Sequence, residues 1–213
     1  MTEQTDAVQE FRAVIFADFV CPYSFLAVDQ VDRLAREYGI RPLWRPYWLH
    51  PDTPLEGTPR DSSPESLEKR ERQKAWLKEM APDQYARMQL PERRHYSLLA
   101  FEALEFAYDC GLDFEYKTAV YDVMWTEGED IGQIDTLVKA AERVGLDTDV
   151  LRAVLNDRLY AGRTIDAIQK ARDIGITNTP TIYLGRTRIN GWTYYEVLQQ
   201  VMEKEGMAPR IAA

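Results

Sequence analysis

A cysteine and a proline stand between a predicted strand and a predicted helix, and this junction limits the possible fold more than any other feature. The stretch before Cys21 is rich in β-favouring side chains, which is typical of a buried strand; they are Val14, Ile15, Phe16, Phe19 and Val20. After Pro22, apolar residues recur on one helix face, at Val28, Val31, Ala35 and Tyr38. Because proline suits the first turn of a helix, the sequence predicts a strand, a tight turn and a helix that Gly39 ends.

The thiol of Cys21 is placed at the predicted helix entrance, where backbone N–H groups are unpaired and the helix dipole is positive. Both features stabilise a thiolate. We therefore expect Cys21 to be partly exposed and to have a pKa below that of a free thiol. The position alone also allows another interpretation, in which Cys21 is a small, buried and unreactive core residue.

The four residues Cys21-Pro22-Tyr23-Ser24 resemble the active site of the DsbA-like branch of the thioredoxin superfamily, whose members usually carry Cys-x-x-Cys. The run from Asp18 to Tyr23 looks most like the FrnE-type group. A serine in the fourth place is also similar to the kappa-class glutathione transferases and the 2-hydroxychromene-2-carboxylate isomerases, whose motif is roughly Ser-Pro-Tyr-Ser. The resemblance implies that Cys21 is the centre of a redox or glutathione-binding site.

The order of the predicted elements agrees with this resemblance. A β-α-β unit comes first, a long helical block follows, and strands at 181–184 and 187–189 form a hairpin before a last helix. A thioredoxin core has the order β-α-β then β-β-α, and DsbA-like proteins carry a helical domain between its halves. We therefore expect an α/β fold with a thioredoxin-like domain, formed by residues 11–59 and 175–205, and a large inserted all-helical domain at 60–174.

One predicted helix of the inserted block runs from His95 to Cys110. Its apolar side chains share one face, at Leu99, Ala103, Phe106 and Cys110, and its acidic side chains share the other, at Glu102, Glu105 and Asp109. This pattern predicts a helix that buries its apolar face in the core. We therefore expect Cys110 to be a small core residue and the three acids to face solvent.

The net charge of the chain is −9, which disfavours nucleic acid as a partner because phosphate binding needs clustered Lys and Arg. No apolar run approaches the length of a membrane span, and the first ten residues lack the features of a signal peptide. Cys21 and Cys110 are the only cysteines, and together with the histidines they lack the spacing of a metal site. We therefore expect a cytoplasmic protein without a metal or a membrane partner.

The resemblance also implies further site residues. In thioredoxin-like proteins a Thr-Pro pair before the hairpin has a cis peptide bond and lies against the active cysteine. This implies a catalytic role for Pro180 and a substrate-binding role for Thr179, whose backbone would pair with an extended peptide or with glutathione. Pro22 and Tyr23 would contact the substrate as well. The segment after His50 is similar to one in FrnE-type sequences. His50 itself lies in a predicted loop and is either an ordinary loop histidine or a proton-transfer group near the thiol, a role that suits histidine.

The chemistry that the resemblance implies starts with Cys21 as the nucleophile, which attacks a disulfide and forms a mixed disulfide. Ser24 cannot resolve that intermediate, because a hydroxyl has far too high a pKa, but it can donate a hydrogen bond to the sulfur. Resolution must then come from outside, with glutathione as a possible co-substrate and no tightly bound cofactor. The expected partners are protein or small-molecule thiols and disulfides, and a homodimer is left open.

Three functions are compatible with the sequence. The first is a FrnE-type thiol–disulfide oxidoreductase with a single cysteine, linked to glutathione. The second is a kappa-type glutathione transferase or a 2-hydroxychromene-2-carboxylate isomerase, although the Ser/Asn-Asp-Arg element of the kappa group is replaced here by residues 190–193, Asn-Gly-Trp-Thr. The third is a non-catalytic binding or chaperone module, which the missing second cysteine allows.

Overall fold

The computed structural model describes residues 11–210, so the first ten residues and the last three lie outside the described part of the chain. The strands are β1 (Ala13–Ala17), β2 (Leu43–Pro46), β3 (Thr58–Pro59), β4 (Arg93–Arg94), β5 (Thr181–Leu184) and β6 (Thr187–Asn190). The helices are α1 (Pro22–Tyr38), α2 (Pro64–Met80), α3 (Pro82–Arg87), α4 (Leu98–Asp109), α5 (Asp113–Trp125), α6 (Ile134–Val144), α7 (Thr148–Asn156), α8 (Ala161–Asp173) and α9 (Tyr195–Lys204). Within residues 11–210, no helix has the length and apolar character needed to cross a membrane.

A four-stranded sheet in the order β2-β1-β5-β6 forms the centre of the fold. β1 and β2 run parallel, with Val14 opposite Leu43, and α1 connects them. β5 is antiparallel to β1, with Ile182 opposite Ile15, and it forms a hairpin with β6. Helices α2 to α8 lie between β2 and β5 along the chain. The predicted order of a β-α-β unit, a helical block and a β-β-α unit is therefore confirmed.

Helix α1 begins and ends where the sequence predicts. Cys21 is its N-cap and has extended backbone angles, and Pro22 occupies the first helical position. Gly39 is the C-cap, with a φ of 62° that glycine reaches without the steric cost of a Cβ atom. Val31 of α1 is fully buried in the same core cluster as Ile15 of β1. The helix that follows Cys21 is therefore held firmly against the sheet.

A short pair of strands that the sequence does not predict joins the segment after β2 to the segment before α4. β3 and β4 pair antiparallel, and the N–H of Arg60 extends the pairing by donating to Glu92 O at 3.3 Å. Gly57 precedes β3 with a φ of 73°, and a Cβ atom there would lie 2.7 Å from Arg94 O. Only glycine allows this close approach of two backbones.

Helix α4 buries two acids that were expected to face solvent. Arg158 donates to both carboxylate oxygens of Glu102, with a shortest distance of 2.5 Å. Arg45 and Arg163 approach Glu105 to 3.1 and 2.7 Å. A buried carboxylate is tolerated when a cation compensates its charge, and arginines far away in sequence do so here. The prediction of a solvent-facing side is therefore wrong for Glu102 and Glu105.

Cys110 is exposed, so the prediction that it is a core residue is also wrong. The in-phase residues Ala103 and Phe106 are buried as predicted. Cys110, however, is the C-cap of α4, and Tyr108 and Asp109 of the same turn are exposed. The last turn of the helix thus extends past the core, which a periodic pattern does not reveal.

A fully buried lysine connects the helical block to α1. Lys117 of α5 donates to Asp32 of α1 at 2.5 Å, and its Nζ lies 4.0 Å from the ring centroid of Phe114 and 5.3 Å from that of Trp44. Burial lowers the pKa of Lys117, and the Asp32 carboxylate acts in the opposite direction. The two aromatic faces add an attraction for the ammonium group. These contacts hold α5 against α1.

We expect the substitution Lys117→Met to lower the free energy of unfolding by about 3 kcal/mol, because it leaves Asp32 as a poorly solvated, unpaired carboxylate. Urea denaturation followed by circular dichroism measures the change. Arg72→Met removes one partner of an exposed pair with Glu68 and is the matched control, with an expected loss below about 1 kcal/mol. Equal losses in the two variants would show that the buried pair does not hold the helices together.

Candidate active site

The turn between β1 and α1 places Cys21 at the first turn of the helix. The N–H of Cys21 donates to Asp18 O at 3.1 Å, which closes the turn. Its carbonyl accepts from the N–H groups of Ser24 and Phe25, both at 3.1 Å. The backbone on both sides of the cysteine is thus paired, so the position of its side chain is well defined.

Two side chains of α5 hold this turn from the other side. Tyr121 donates its hydroxyl to Asp18 O at 3.2 Å, and the indole N–H of Trp125 donates to Phe19 O at 2.8 Å. Both aromatic side chains are almost completely buried. The helical block therefore supplies the hydrogen bonds that the buried carbonyls before Cys21 require.

The sulfur of Cys21 lies against the segment before β5. Cys21 Sγ donates to Thr179 O at 3.4 Å, and the peptide bond between Thr179 and Pro180 is cis, which is the arrangement that the resemblance implies. The fold thus brings together two segments that are far apart in sequence.

The environment of Cys21 differs from its prediction in exposure and in acidity. The residue is only 4% exposed. Burial raises the pKa of the Cys21 thiol, and the hydrogen bond to Thr179 and the nearby polar groups of Ser24 offset only part of this effect. The negative charge of Asp18 raises the pKa further. The expectation of a partly exposed, acidic thiol is therefore wrong, because loss of water outweighs the favourable effect of the helix terminus.

The hydroxyl groups of Ser24 and Thr179 are both buried at this site. Neither Oγ of Ser24 nor Oγ1 of Thr179 has a partner with good hydrogen-bond geometry in the described part of the chain. The Ser24 hydroxyl is nevertheless close enough to Cys21 to lower the pKa of its thiol. Ser24 is therefore positioned to donate to a thiolate once one forms.

Asp18 is a buried acid next to Cys21 that sequence reasoning recognised only as part of a motif. Its side chain is fully buried and accepts from the N–H groups of Val20 at 3.2 Å and Leu49 at 2.8 Å. Burial raises the pKa of Asp18 to about 6, and the backbone donors lower it in part. Asp18 can therefore change its charge close to neutral pH, beside the thiol.

A cavity of about 760 Å³ opens at Cys21. Its wall includes the predicted site residues Cys21, Pro22, Tyr23, His50 and Thr179. Ser24 and Pro180 are not part of the wall. The ring of Tyr23 packs edge-on against Trp76 of α2, with centroids 5.1 Å apart, so the helical block forms one side of the opening.

His50 is half-buried on the same wall. Burial lowers the pKa of His50, and the positive charges of Arg94 and Arg60 lower it further. His50 is therefore mainly neutral at neutral pH and is able to accept a proton. Within residues 11–210, no group of three or more His, Cys, Asp and Glu residues has the arrangement of a metal site.

Comparison with known proteins identifies related sequences over almost the whole described chain. The family model for the DSBA-like thioredoxin domain matches residues 13–203. The uncharacterized protein YwbO of Bacillus subtilis is 28% identical over 198 residues, which are 90% of this chain and 95% of YwbO.

Three solved structures share the fold. A probable DsbA oxidoreductase from Streptomyces coelicolor has a TM-score of 0.79 and 21% identity, with 96% of this chain and 94% of that chain covered. A 2-hydroxychromene-2-carboxylate isomerase has a TM-score of 0.69 and 18% identity, with 91% and 94% covered. The cytosolic disulfide reductase DsbM from Pseudomonas aeruginosa, solved with GSH, has a TM-score of 0.61 and 15% identity, with 91% and 98% covered. These similarities confirm the predicted thioredoxin-like fold with its helical insertion.

The negative charge of Asp18 should lower the reactivity of Cys21 in a pH-dependent way. We expect Asp18→Asn to react several-fold faster with iodoacetamide than the parent at pH 8, because the neutral amide no longer disfavours the thiolate. The ratio of the two rates should approach one below pH 6, where Asp18 is itself protonated. Mass spectrometry of labelled protein measures both rates, in a Cys110→Ser background.

Asp122→Asn is the matched control. Asp122, which lies on α5, is another carboxylate whose pKa is raised by burial, but it is not among the groups that shift the pKa of Cys21. The rate at which Asp122→Asn reacts with iodoacetamide, divided by the rate of the parent, should stay constant across the same pH range. A flat profile for Asp18→Asn as well would refute the electrostatic link between Asp18 and Cys21.

Proposed function

The chain belongs to the family of DSBA-like thioredoxin domains, and we propose that it is a thiol–disulfide oxidoreductase that works with Cys21 alone. The observation that carries this proposal is the contact of Cys21 Sγ with Thr179 O, at the wall of an open cavity. It brings a nucleophile and a backbone acceptor for substrate to one place. Family membership supports disulfide chemistry in general. Because the motif has a single cysteine, the proposed reaction needs a second thiol from outside the motif.

The proposed reaction has two exchange steps. The Cys21 thiolate attacks one sulfur of a disulfide R–S–S–R, which forms Cys21–S–S–R and releases R–S⁻. A second thiolate then attacks the sulfur of R in the mixed disulfide, and Cys21 leaves as a thiolate. Ser24 cannot supply this second thiolate, and Cys110 is not part of the cavity wall. The second thiol therefore comes from solution.

We propose that glutathione is this thiol, since it is the abundant thiol of the cytosol, where we also propose that the protein works. The structural similarity to a disulfide reductase that was solved with GSH supports this choice. No tightly bound cofactor is needed, because all electrons move between sulfur atoms. FrnE-type proteins are the part of the family with which the motif Asp18 to Tyr23 agrees best.

The other residues of the site have roles that follow from their contacts. Thr179 O accepts from the resting thiol, so it becomes free for an N–H of the substrate when Cys21 enters a mixed disulfide. The buried hydroxyl of Ser24 is available to donate to the thiolate. His50, neutral on the cavity wall, can take the proton from an incoming thiol. Because burial raises the pKa of Cys21, we expect exchange to accelerate as the pH rises.

An isomerase or transferase is the second candidate function. It is favoured by the similarity of the fold to a 2-hydroxychromene-2-carboxylate isomerase and by Ser24 in the fourth motif position. In that reaction Cys21 would hold glutathione without attacking a disulfide. A test of mixed-disulfide formation therefore separates the two functions.

The protein should accumulate a mixed disulfide when it is incubated with oxidised glutathione, because no second thiol at the site removes it. Mass spectrometry should show a covalent adduct that a reductant removes. We expect the adduct to form in Cys110→Ser, which retains Cys21. In Cys21→Ser, no adduct should form at position 21. The two single variants are matched controls for each other. Cys110→Ser protein that resists glutathione while Cys21 still reacts with iodoacetamide would rule out the redox function in favour of the isomerase or binding module.

The variant Ser24→Cys should change the outcome of the same experiment. Residues three apart at a helix start share a face, so the new thiol can reach the sulfur of Cys21. It should displace glutathione and close an internal disulfide, provided that the turn allows disulfide geometry. We then expect dithiol oxidase or reductase activity that the parent lacks. Persistent glutathione adduct in Ser24→Cys would show that position 24 cannot act on the mixed disulfide.

A further inference from the structure

The cavity at Cys21 has a positive wall, although the protein as a whole has a charge of −9. The cationic side chains on the wall are Arg60, Lys69, Arg70, Lys74 and Arg94. Two acids, Asp61 and Glu92, share the wall with them. Asp61 is engaged in accepting hydrogen bonds from the hydroxyl groups of Ser63 and Ser66, at 2.7 and 2.6 Å. The cations therefore outnumber the acids where substrate has to enter.

Arg60 and Arg94 are fixed in this wall by the pairing of β3 with β4. The Nε of Arg60 donates to Pro91 O at 2.7 Å, and its backbone N–H continues the pairing. Within residues 11–210, neither Arg60 nor Arg94 forms an ion pair with a carboxylate. Burial lowers the pKa of Arg60, and the positive charges of Arg70 and Arg94 lower it further, so like charges are close to each other here. An anion between them would remove this repulsion.

The position of Cys21 limits the size of what can react there. The residue is only 4% exposed, although it forms part of the wall. Such a buried residue is less accessible to a disulfide on the surface of a folded protein than to a small ligand that enters the cavity. A cavity of about 760 Å³ is within the range that binds small molecules. The geometry therefore favours a narrow ligand that enters the cavity with one end.

We propose that the substrate of the Cys21 site is a low-molecular-weight thiol or disulfide with carboxylate or phosphate groups, and that Arg60 and Arg94 bind these groups. This proposal rests on the proposed function, since it specifies which disulfides Cys21 attacks. The guanidinium groups hold the anionic end while one sulfur of the ligand meets Cys21 Sγ. The Cys21 thiolate then forms a bond with that sulfur, and the other half of the ligand leaves as a thiolate.

A comparison of charged and neutral disulfides tests this assignment. The rate of mixed-disulfide formation at Cys21 is measured for oxidised glutathione, for coenzyme A disulfide and for the neutral 2-hydroxyethyl disulfide, all in a Cys110→Ser background. The readout is the ratio of each anionic rate to the neutral rate, which cancels any change in the acidity of the thiol. We expect Arg94→Gln to lower at least one of these ratios about tenfold. The disulfide whose ratio falls shows whether carboxylates or phosphates are bound.

Two further variants make the result specific. Arg94→Lys keeps the positive charge, so its ratios of anionic to neutral rate should stay close to those of the parent. Arg72→Gln removes one positive charge from α2 outside the cavity wall, and its ratios should equal those of the parent. Thermal unfolding confirms that each variant is folded.

The outcomes separate the two proposals. Ratios that Arg94→Gln and Arg60→Gln both leave unchanged, in protein whose Cys21 still exchanges with disulfides, would overturn the anion site and leave the oxidoreductase intact. Failure of Cys21 to exchange with any of the three disulfides would overturn the proposed function and the anion site with it.

Discussion

The hydrogen bonds from Tyr121 and Trp125 to the turn before Cys21 are the contacts on which the site depends. The turn is buried, so its carbonyl groups lose their water and need donors from the protein. Those donors come from α5, which belongs to the helical block, while the turn belongs to the sheet. The buried pair of Lys117 and Asp32 joins the same helix to α1. The inserted helices are therefore part of the structure that positions the thiol, and the site would be incomplete without them.

The features that could be predicted from the sequence are those encoded by neighbouring residues. Pro22 and Gly39 mark the ends of α1, and the alternation of strands and helices predicts the order of the elements along the chain. The exposure and acidity of Cys21 could not be predicted in this way. A helix terminus favours a thiolate locally, but the loss of water depends on α5 and on Thr179, which are distant in sequence. Asp18 was recognised only as a motif residue for the same reason, since its burial is a tertiary property.

Charge patterns along a helix were the other source of error. Glu102 and Glu105 look like a solvated face when α4 is considered alone, and only the folded chain shows the arginines that neutralise them. The pairing of β3 with β4 is similarly hidden, because two-residue strands are too short to show any periodicity. Gly57 is the one local sign of it, and its meaning depends on how close Arg94 O comes. The cavity wall was therefore the least predictable part of the site, although two of its cations come from this pairing.

The unequal exposure of the two cysteines affects which of them is oxidised first. Peroxide converts thiols stepwise into sulfenic, sulfinic and sulfonic acids, and the last two steps are essentially irreversible in most proteins. This damage needs an accessible thiolate. Burial raises the pKa of both thiols, but Cys21 is shielded from solvent, whereas Cys110 is open to solvent at the end of α4. Under oxidative stress the first irreversible oxidation therefore occurs at Cys110, which lies outside the cavity. The thiol of Cys21 stays available for exchange with ligands that fit the cavity.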